Sequence, residues 1–330
     1  MTFGDCVLVF VELNQGKAVL PISFECVTAG KMLVKALGGK LVGLIMGNAV
    51  EDAAREATLY ALDCLCVVDH PLLAAYQPEL YGSAFGQVCK RVKPKAIIFG
   101  DTLTSIDLAP RVAFSLTTGL ITDCVAIECE EGEVYFIKPV YSGNVMAAYT
   151  FDREPFVVTL RSRAEEPAER SNVAGAEIIP IGVDLDLSDV NAEVVERVVE
   201  KQEGPTLTDA EVVVSGGRGI GGPAGFEQLR ELAAALNAAV GASRPPCDHG
   251  WVPQRTQVGQ TGAKVAPSLY IAIGISGATQ HVAGMYRSKR IVAINRDPKA
   301  NIFRIADYGV VGPFEEVLPA FREAISEMLR

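Results

Sequence analysis

The sequence predicts an α/β protein built from two α/β domains, and three observations predict it. Apolar runs of about five to eight residues alternate with segments of helical periodicity, the pattern of parallel strands buried on both faces. A charged stretch at 163–209, carrying Pro167, Gly204 and Pro205, interrupts that alternation. With 330 residues, 49% of them hydrophobic, the chain can fill more than one core. The expected division is 1–205, an N-terminal parallel sheet with an antiparallel extension and a linker, and 206–330, a doubly wound α/β domain.

In the first domain, "CVLVFVEL" (6–13), "KLVGLIMG" (40–47), "CLCVVD" (64–69) and "KAIIFG" (95–100) read as buried parallel strands. Between them Ser23 is expected to cap a helix ending at Gly38-Gly39, and "AVEDAAREATLYAL" (49–62) carries apolar residues at helical spacing. From 121 to 161 the pattern shortens and alternates: "ITDCVAIECEEGEVYFIKPV", "NVMAAYTF" and "FVVTLRS" predict an antiparallel extension, with Glu131-Gly132 as a hairpin turn. Strand–helix alternation before it places helices on both faces of the sheet.

The second domain opens with a strand (211–215), a glycine loop and a helix beginning near Pro223. Strands follow at "AAVGAS" (238–243), "LYIAIGIS" (269–276), "RIVAIN" (290–295) and "YGVVG" (308–312), and a helix over "EEVLPAFREAISEML" ends the pattern.

Composition excludes several classes of function. The net charge of −10 argues against nucleic acid and anionic membrane as partners. No apolar run is long enough to span a bilayer. The start, "MTFGDCVLVFVEL", lacks a basic n-region and a cleavage site, so the chain is expected to begin at Met1 in the cytoplasm. Cys6, Cys64 and Cys66 lie in strand-like runs and read as reduced, buried thiols. There is no C-x-x-C and the three histidines are scattered, so no metal site is expected.

In an open parallel sheet, ligands bind outside the carboxyl ends of the strands. At those ends in the second domain stand Ser215-Gly216-Gly217-Arg218, Ser243-Arg244, Ser276-Gly277-Ala278-Thr279-Gln280-His281 and Asn295-Arg296. Glycines admit a pyrophosphate, Ser and Asn suit ribose or adenine, and arginines supply charge; a helix starting after Ser276 would present N–H groups to an anion. Gly217-x-Gly219-x-x-Gly222 matches a dinucleotide fingerprint literally, but Ser243-Arg244 occupies the place where that fingerprint needs an acid. It reads as a glycine-rich ligand loop. Taken singly, His281 could be an ordinary helix-start histidine, Arg244 a surface arginine in a rigid turn, and Gln260-Thr261-Gly262 plain turn chemistry. Their joint placement on one sheet edge is what points to a site.

"SGGRGIGG", "GASRPPCD", "QVGQTG", "LYIAIGISGATQHVAGM" and "IVAINRDPKANIFRIADYGVVG" resemble, in order and spacing, the α subunit of electron-transfer flavoprotein. The resemblance is most specific over 211–312 and continuous over 1–162. It implies a C-terminal domain that binds FAD and an N-terminal domain that holds no nucleotide and docks a β subunit in an obligate heterodimer. Residue by residue, it implies FAD contacts at Arg218 and Ser243, and a charge at Arg244 favouring reduced, anionic flavin. It further implies a loop at the ring from Val258, Gly259, Gln260 and Thr261, with the Thr261 hydroxyl near N5. Ser276, Gly277, Ala278, Thr279 and Gln280 match a phosphate-binding turn, His281 the histidine facing the pyrimidine carbonyl, and Asn295 an adenosine contact. The family usually shows Asp-Leu where this chain has Pro313-Phe314.

The implied activity is electron carriage from acyl-CoA dehydrogenases to a quinone oxidoreductase or another acceptor, without a catalytic residue of its own. A second class is the α subunit of a bifurcating complex that oxidises NADH at the partner subunit; whether that subunit holds AMP or a second FAD decides between them. A third, a colourless nucleotide-sensing or structural protein, is separated from both by a visible spectrum.

Overall fold

The computed structural model describes residues 3–14, 18–130, 133–141, 143, 145–171, 175–190, 192, 204–208 and 210–328. The chain divides into two units, 1–197 and 198–330.

In unit 1 the strands Cys6–Phe10, Lys40–Gly47, Cys64–Asp69 and Ala96–Gly100 come where the sequence is apolar on both faces. β1 (Cys6–Phe10), a short β2–β3 hairpin (Leu13–Asn14, Ala18–Val19) and α1 (Pro21–Leu37) are followed by β4 (Lys40–Gly47), α2 (Glu51–Ala57) and β5 (Cys64–Asp69). Next come α3 (Pro78–Val92), β6 (Ala96–Gly100), α4 (Leu103–Ser115), β7 (Leu120–Cys124), β8 (Ala126–Glu130), β9 (Glu133–Val140), β10 (Val145–Tyr149), β11 (Phe156–Leu160) and β12 (Glu177–Pro180). Seven strands form one sheet in the order β12-β5-β4-β1-β6-β11-β7, every pair parallel. Along β1, Val7 and Val9 face the core covered by α1, whereas Cys6, Leu8 and Phe10 face the one covered by α3 and α4. That is the two-residue period of a strand buried on both sides.

Several local expectations are corrected. Ser23 does not cap α1: Leu20 precedes the helix and Pro21, whose φ is preset for a first turn, starts it. The Ser23 hydroxyl instead accepts from the Glu12 backbone N–H at 3.0 Å. α2 stops at Ala57, and Ala61 has φ 48°, outside any helix, so the apolar spacing over 49–62 overran the helix. The antiparallel extension is confined to β8, β9 and β10. "FVVTLRS" instead supplies β11, which inserts in parallel between β6 and β7 because it is apolar on both faces. The stretch 163–209 is not wholly a linker, since β12 lies within it and adds a parallel edge strand beside β5. Glu131-Gly132 lies outside the described residues.

β1 and β6 flank the point where the strand order of this sheet reverses, where an open sheet ordinarily leaves a crevice. Here stands Glu12, 6% exposed, whose carboxyl accepts from the hydroxyls of Thr102 at 2.5 Å, just before α4, and Ser105 at 3.0 Å, within it. Burial raises its pKa, with those hydrogen bonds opposing.

Unit 2 runs β13 (Val212–Gly216), α5 (Pro223–Ala235), β14 (Ala239–Ala242), α6 (Arg244–Asp248), β15 (Leu269–Ile273), α7 (Thr279–Val282), β16 (Ile291–Asn295), β17 (Tyr308–Val311) and α8 (Phe314–Met328). The five parallel strands take the order β14-β13-β15-β16-β17, with the reversal between β13 and β15. One face packs Val214, Ile271 and Ile294 against Phe226 and Leu229 of α5 and Leu318 of α8. Residues of the connecting loops, Val258, Val265, Met285 and Ile302, cover the other face over Val213, Tyr270 and Ala272. Phe314 is buried in the first of these cores, 3.2 Å from where a Cβ on Gly225 would stand.

The loops after β13 and β15 meet backbone to backbone. Gly217 N–H donates to Ile273 O at 2.8 Å and Gly219 N–H to Gly274 O at 3.0 Å. A Cβ on Gly217 would stand 2.2 Å from Gly274 O, while one on Gly222 would meet nothing within 4 Å. Gly217→Ala should therefore destabilise the protein by about 1–3 kcal/mol, the cost of forced overpacking, and Gly222→Ala by much less. Thermal unfolding of the two variants checks this; equal melting temperatures would contradict it.

Candidate functional site

Beside the glycine contact, at the carboxyl ends of β13 and β15, lies a cavity of about 720 Å³. That size suits a small-molecule or cofactor site. Of the fourteen residues singled out from the sequence, Arg218, Ser243, Arg244, Val258, Gly259, Gln260, Thr261, Ser276, Ala278, Gln280, His281 and Asn295 line it. Gly277 and Thr279 do not. Gly277, at φ +82°, turns into the loop, where a Cβ would be 2.2 Å from Ile302 N, and the exposed Thr279 hydroxyl donates to Gln280 Oε1 at 3.3 Å. Pro313 and Phe314 are also away from the cavity.

Four loop segments build the wall. Arg218 begins a single 3₁₀ turn, Arg218–Ile220, and its side chain is exposed toward the cavity with Arg244 and Arg296. Ser243 precedes α6, is 8% exposed, and makes no capping bond with its hydroxyl. Arg244 Nε donates to Asp248 Oδ2 at 3.1 Å, one helical turn on. Three cationic side chains against two acids, Asp248 and Asp297, give the cavity a positive balance that suits an anionic ligand.

The loop after β15 was expected to open a helix after Ser276, but α7 is one turn, Thr279–Val282. What remains is a run of backbone N–H groups from Ser276 to Gln280 that donate to no other group among the described residues. Such a run makes an anion-binding concavity without a long helix behind it. Asn295 is less available than expected. Its Nδ2 donates to Ile275 O at 2.8 Å and its Oδ1 accepts from Asp297 N–H at 3.0 Å, tying β16 to the turn after β15.

The loop 257–263 is pinned to β14 and to α7. Val258 N–H donates to Ala242 O at 2.8 Å, and Gln260 N–H to Gln280 O at 2.7 Å. A Cβ on Gly284 would stand 2.4 Å from Gly259 N, so these two loops also touch through backbone. Sequence reasoning missed Gln257 and Asp248, both of which line the cavity. Gln257 opens the segment "QVGQTG" and forms an isolated parallel bridge with Ala242, a pairing the sequence does not signal.

His281 is 5% exposed at the cavity wall, and both ring nitrogens are engaged by the protein. Nδ1 lies 2.9 Å from Val258 O, which only accepts, so Nδ1 carries the hydrogen. Nε2 then accepts from the Tyr270 hydroxyl at 3.1 Å. Tyr270 is fully buried; burial raises its pKa, with the neighbouring Ser215 hydroxyl acting in the opposite direction. Burial likewise lowers the His281 pKa from 6.5 to about 4, the Val258 carbonyl opposing. His281 is therefore neutral at physiological pH. Because its folded pKa lies below its unfolded one, its contribution to stability is complete above pH about 6.5 and is lost as pH falls toward 4. The loss is about 3 kcal/mol. The imidazole resonances of His281 should titrate with a midpoint near 4, and His281→Gln should flatten the acid limb of the stability curve. A midpoint near 6.5 would contradict the assignment.

Comparison with known proteins bears on the whole chain. Residues 206–286 match the family model described as the electron transfer flavoprotein FAD-binding domain, and 7–186 the one described as the electron transfer flavoprotein domain. The electron transfer flavoprotein subunit alpha of Thermoanaerobacterium thermosaccharolyticum is 39% identical over 322 residues, 97% of each chain. That of Bacillus subtilis is 38% identical over 325 residues, 98% of each. The LctC subunit of the NAD(+)- and ferredoxin-linked lactate dehydrogenase of Acetobacterium woodii is 35% identical, covering 95% of this chain and 75% of that one. With α/β units in both matched regions and a cavity at the reversal point of the second, the chain belongs to the electron transfer flavoprotein alpha-subunit family.

Proposed function

We propose that the cavity between β13 and β15 binds FAD and that the protein, paired with a β subunit, carries electrons between dehydrogenases and a further acceptor. The observation that carries this reading is the joint placement, at the reversal point of the second sheet, of arginines and of N–H groups without a partner among the described residues, mostly within the segment 206–286 whose family model is described as FAD-binding. The N–H groups of Ser276, Ala278 and Gln280 with Arg218 would take the pyrophosphate, and the Ser243 hydroxyl and Asn295 would lie along the ribose and adenine. Val258, Gly259, Gln260, Thr261 and His281 would border the ring. When bound, FAD supplies the group that is reduced and reoxidised.

The protein's own residues set the conditions for that chemistry. Arg244, whose charge is partly balanced by Asp248, would set a fixed positive charge where negative charge develops on reduction. The neutral His281 adds no charge. Acyl-CoA dehydrogenases as donors, a quinone oxidoreductase as acceptor, and a cytoplasmic location belong to this reading. Among the described residues no helix is long and apolar enough to cross a membrane.

Residues 1–205 would dock the β subunit. Leu103, Ile106, Pro110 and Phe114 form an exposed stripe along one face of α4, with Leu103 91% and Phe114 87% exposed. A contiguous apolar face of this kind marks an interaction surface. The relatives named as subunits of an NAD(+),ferredoxin-linked lactate dehydrogenase and of an acryloyl-CoA reductase favour a second reading, a bifurcating complex whose partner subunit oxidises NADH.

A redox titration tests the ring-side assignment. A hydrogen bond to a charged group contributes about 1.5–3 kcal/mol, so Arg244→Ala should lower the first-electron potential of bound FAD by about 60–130 mV. Arg244→Lys should recover part of the loss. An unchanged potential at full FAD occupancy would remove Arg244 from the ring.

A further inference from the structure

We infer that Gln257 is a positioning residue that turns the Thr261 hydroxyl into a hydrogen-bond donor aimed at the bound cofactor, a role that rests on FAD occupying the cavity as proposed above. Gln257 is 3% exposed yet borders the cavity, so its amide needs partners within the protein. It has two. Gln254 Nε2 donates to Gln257 Oε1 at 2.7 Å, and Gln257 Nε2 donates to Thr261 Oγ1 at 3.0 Å.

The direction of this chain has a consequence. With Gln257 Oε1 accepting from Gln254, the nitrogen is the atom left to face Thr261, and an amide nitrogen only donates. Thr261 Oγ1 therefore receives a hydrogen and must direct its own elsewhere. Thr261 is exposed on the cavity wall, and the open direction is the cavity. The side chain of Gln257 has little freedom to rearrange. Its backbone O accepts from Ala263 N–H at 2.7 Å, and a Cβ on Gly262 would lie 3.0 Å from Gln257 Cγ. A hydroxyl held as a donor suits a ring nitrogen that carries no hydrogen, and it favours electron uptake without proton uptake at that nitrogen. The resulting specificity is for a cofactor presenting an acceptor at this position.

The experiment is a double-mutant cycle on the FAD-loaded heterodimer, read as the first-electron potential. Gln257→Glu replaces the donating amide with a carboxylate that accepts from Thr261 and so reverses the hydroxyl; Thr261→Val removes the hydroxyl. A neutral hydrogen bond is worth about 0.5–1.5 kcal/mol, so Gln257→Glu should disfavour reduction about three- to tenfold more in the wild-type background than in the Thr261→Val background. This is about 30–60 mV of coupling. The added charge acts in both backgrounds and cancels in the difference. If Gln257→Glu fails to retain FAD, Gln257→Met, which removes the donor without adding charge, should give coupling of the same sign. Equal shifts in the two backgrounds would overturn the inference, while a Thr261→Val potential equal to wild type at full FAD occupancy would overturn the placement of Thr261 at the ring.

Discussion

The site depends on one constraint, the direct backbone contact between the loops that leave β13 and β15. Gly217 and Gly219 donate to the carbonyls of Ile273 and Gly274. A side chain at Gly217 would collide with Gly274 O, and one at Gly219 would lie 2.8 Å from Gly274 Cα. Because the loops lie this close, Gly219 and Gly274 bring main chain to the cavity wall beside the arginine, glutamine and histidine side chains that line the rest of it. The same device recurs where Gly284 meets Gly259, which brings the Thr261 loop against α7. Cationic and hydroxyl side chains then need only short loops to reach the cavity. The bare glycine spacing in 217–222 matters here as a packing contact, with Gly222 spatially uninvolved.

The two units carry the same kind of reversal point and treat it differently. In unit 1 the buried Glu12, just beyond the end of β1, accepts from the hydroxyls of Thr102 at the start of α4 and Ser105 within it. Nearby, Arg161 and Asp123 form a two-bond pair at 2.6 Å, and Thr159 donates to Asp101 at 2.8 Å, closing the ends of β6, β11 and β7 with side-chain bonds. A closed polar network of this type excludes ligand and fixes strand ends. In unit 2 the N–H groups of 276–280 have no protein partner among the described residues. The strand ends of one unit are thus tied by side-chain bonds, whereas those of the other leave backbone N–H groups without a protein partner among the described residues.

The central strands of both sheets were legible because they are apolar on both faces, as in "CVLVF" and "LYIAI", whereas β12 lay in the stretch read as a linker. The site was legible as residues at strand ends. Which strands neighbour which was less so: β11 and β12 join the parallel sheet from stretches whose alternation and charge resemble an antiparallel hairpin and a linker. Pairing partners are set by tertiary contact, which local pattern does not record. Hydrogen-bond direction was not legible either. Nothing in "QVGQTG" shows that Gln257 donates to Thr261, and nothing in "SGATQH" shows that His281 spends both nitrogens on Val258 and Tyr270. Gln257 was missed because a buried amide leaves no periodic trace; Arg218 and Arg244 were found because they follow the carboxyl ends of strands and match the family's motifs.

The central claim is that the second unit takes FAD in this crevice, and the visible absorption spectrum of the protein purified with its partner subunit tests it most directly. The account predicts flavin bands that fall in proportion when Arg218→Ala and Ser243→Ala are combined, with the fold of unit 1 intact by circular dichroism. A colourless protein that takes up no FAD on addition, or flavin bands indifferent to both substitutions, would contradict it.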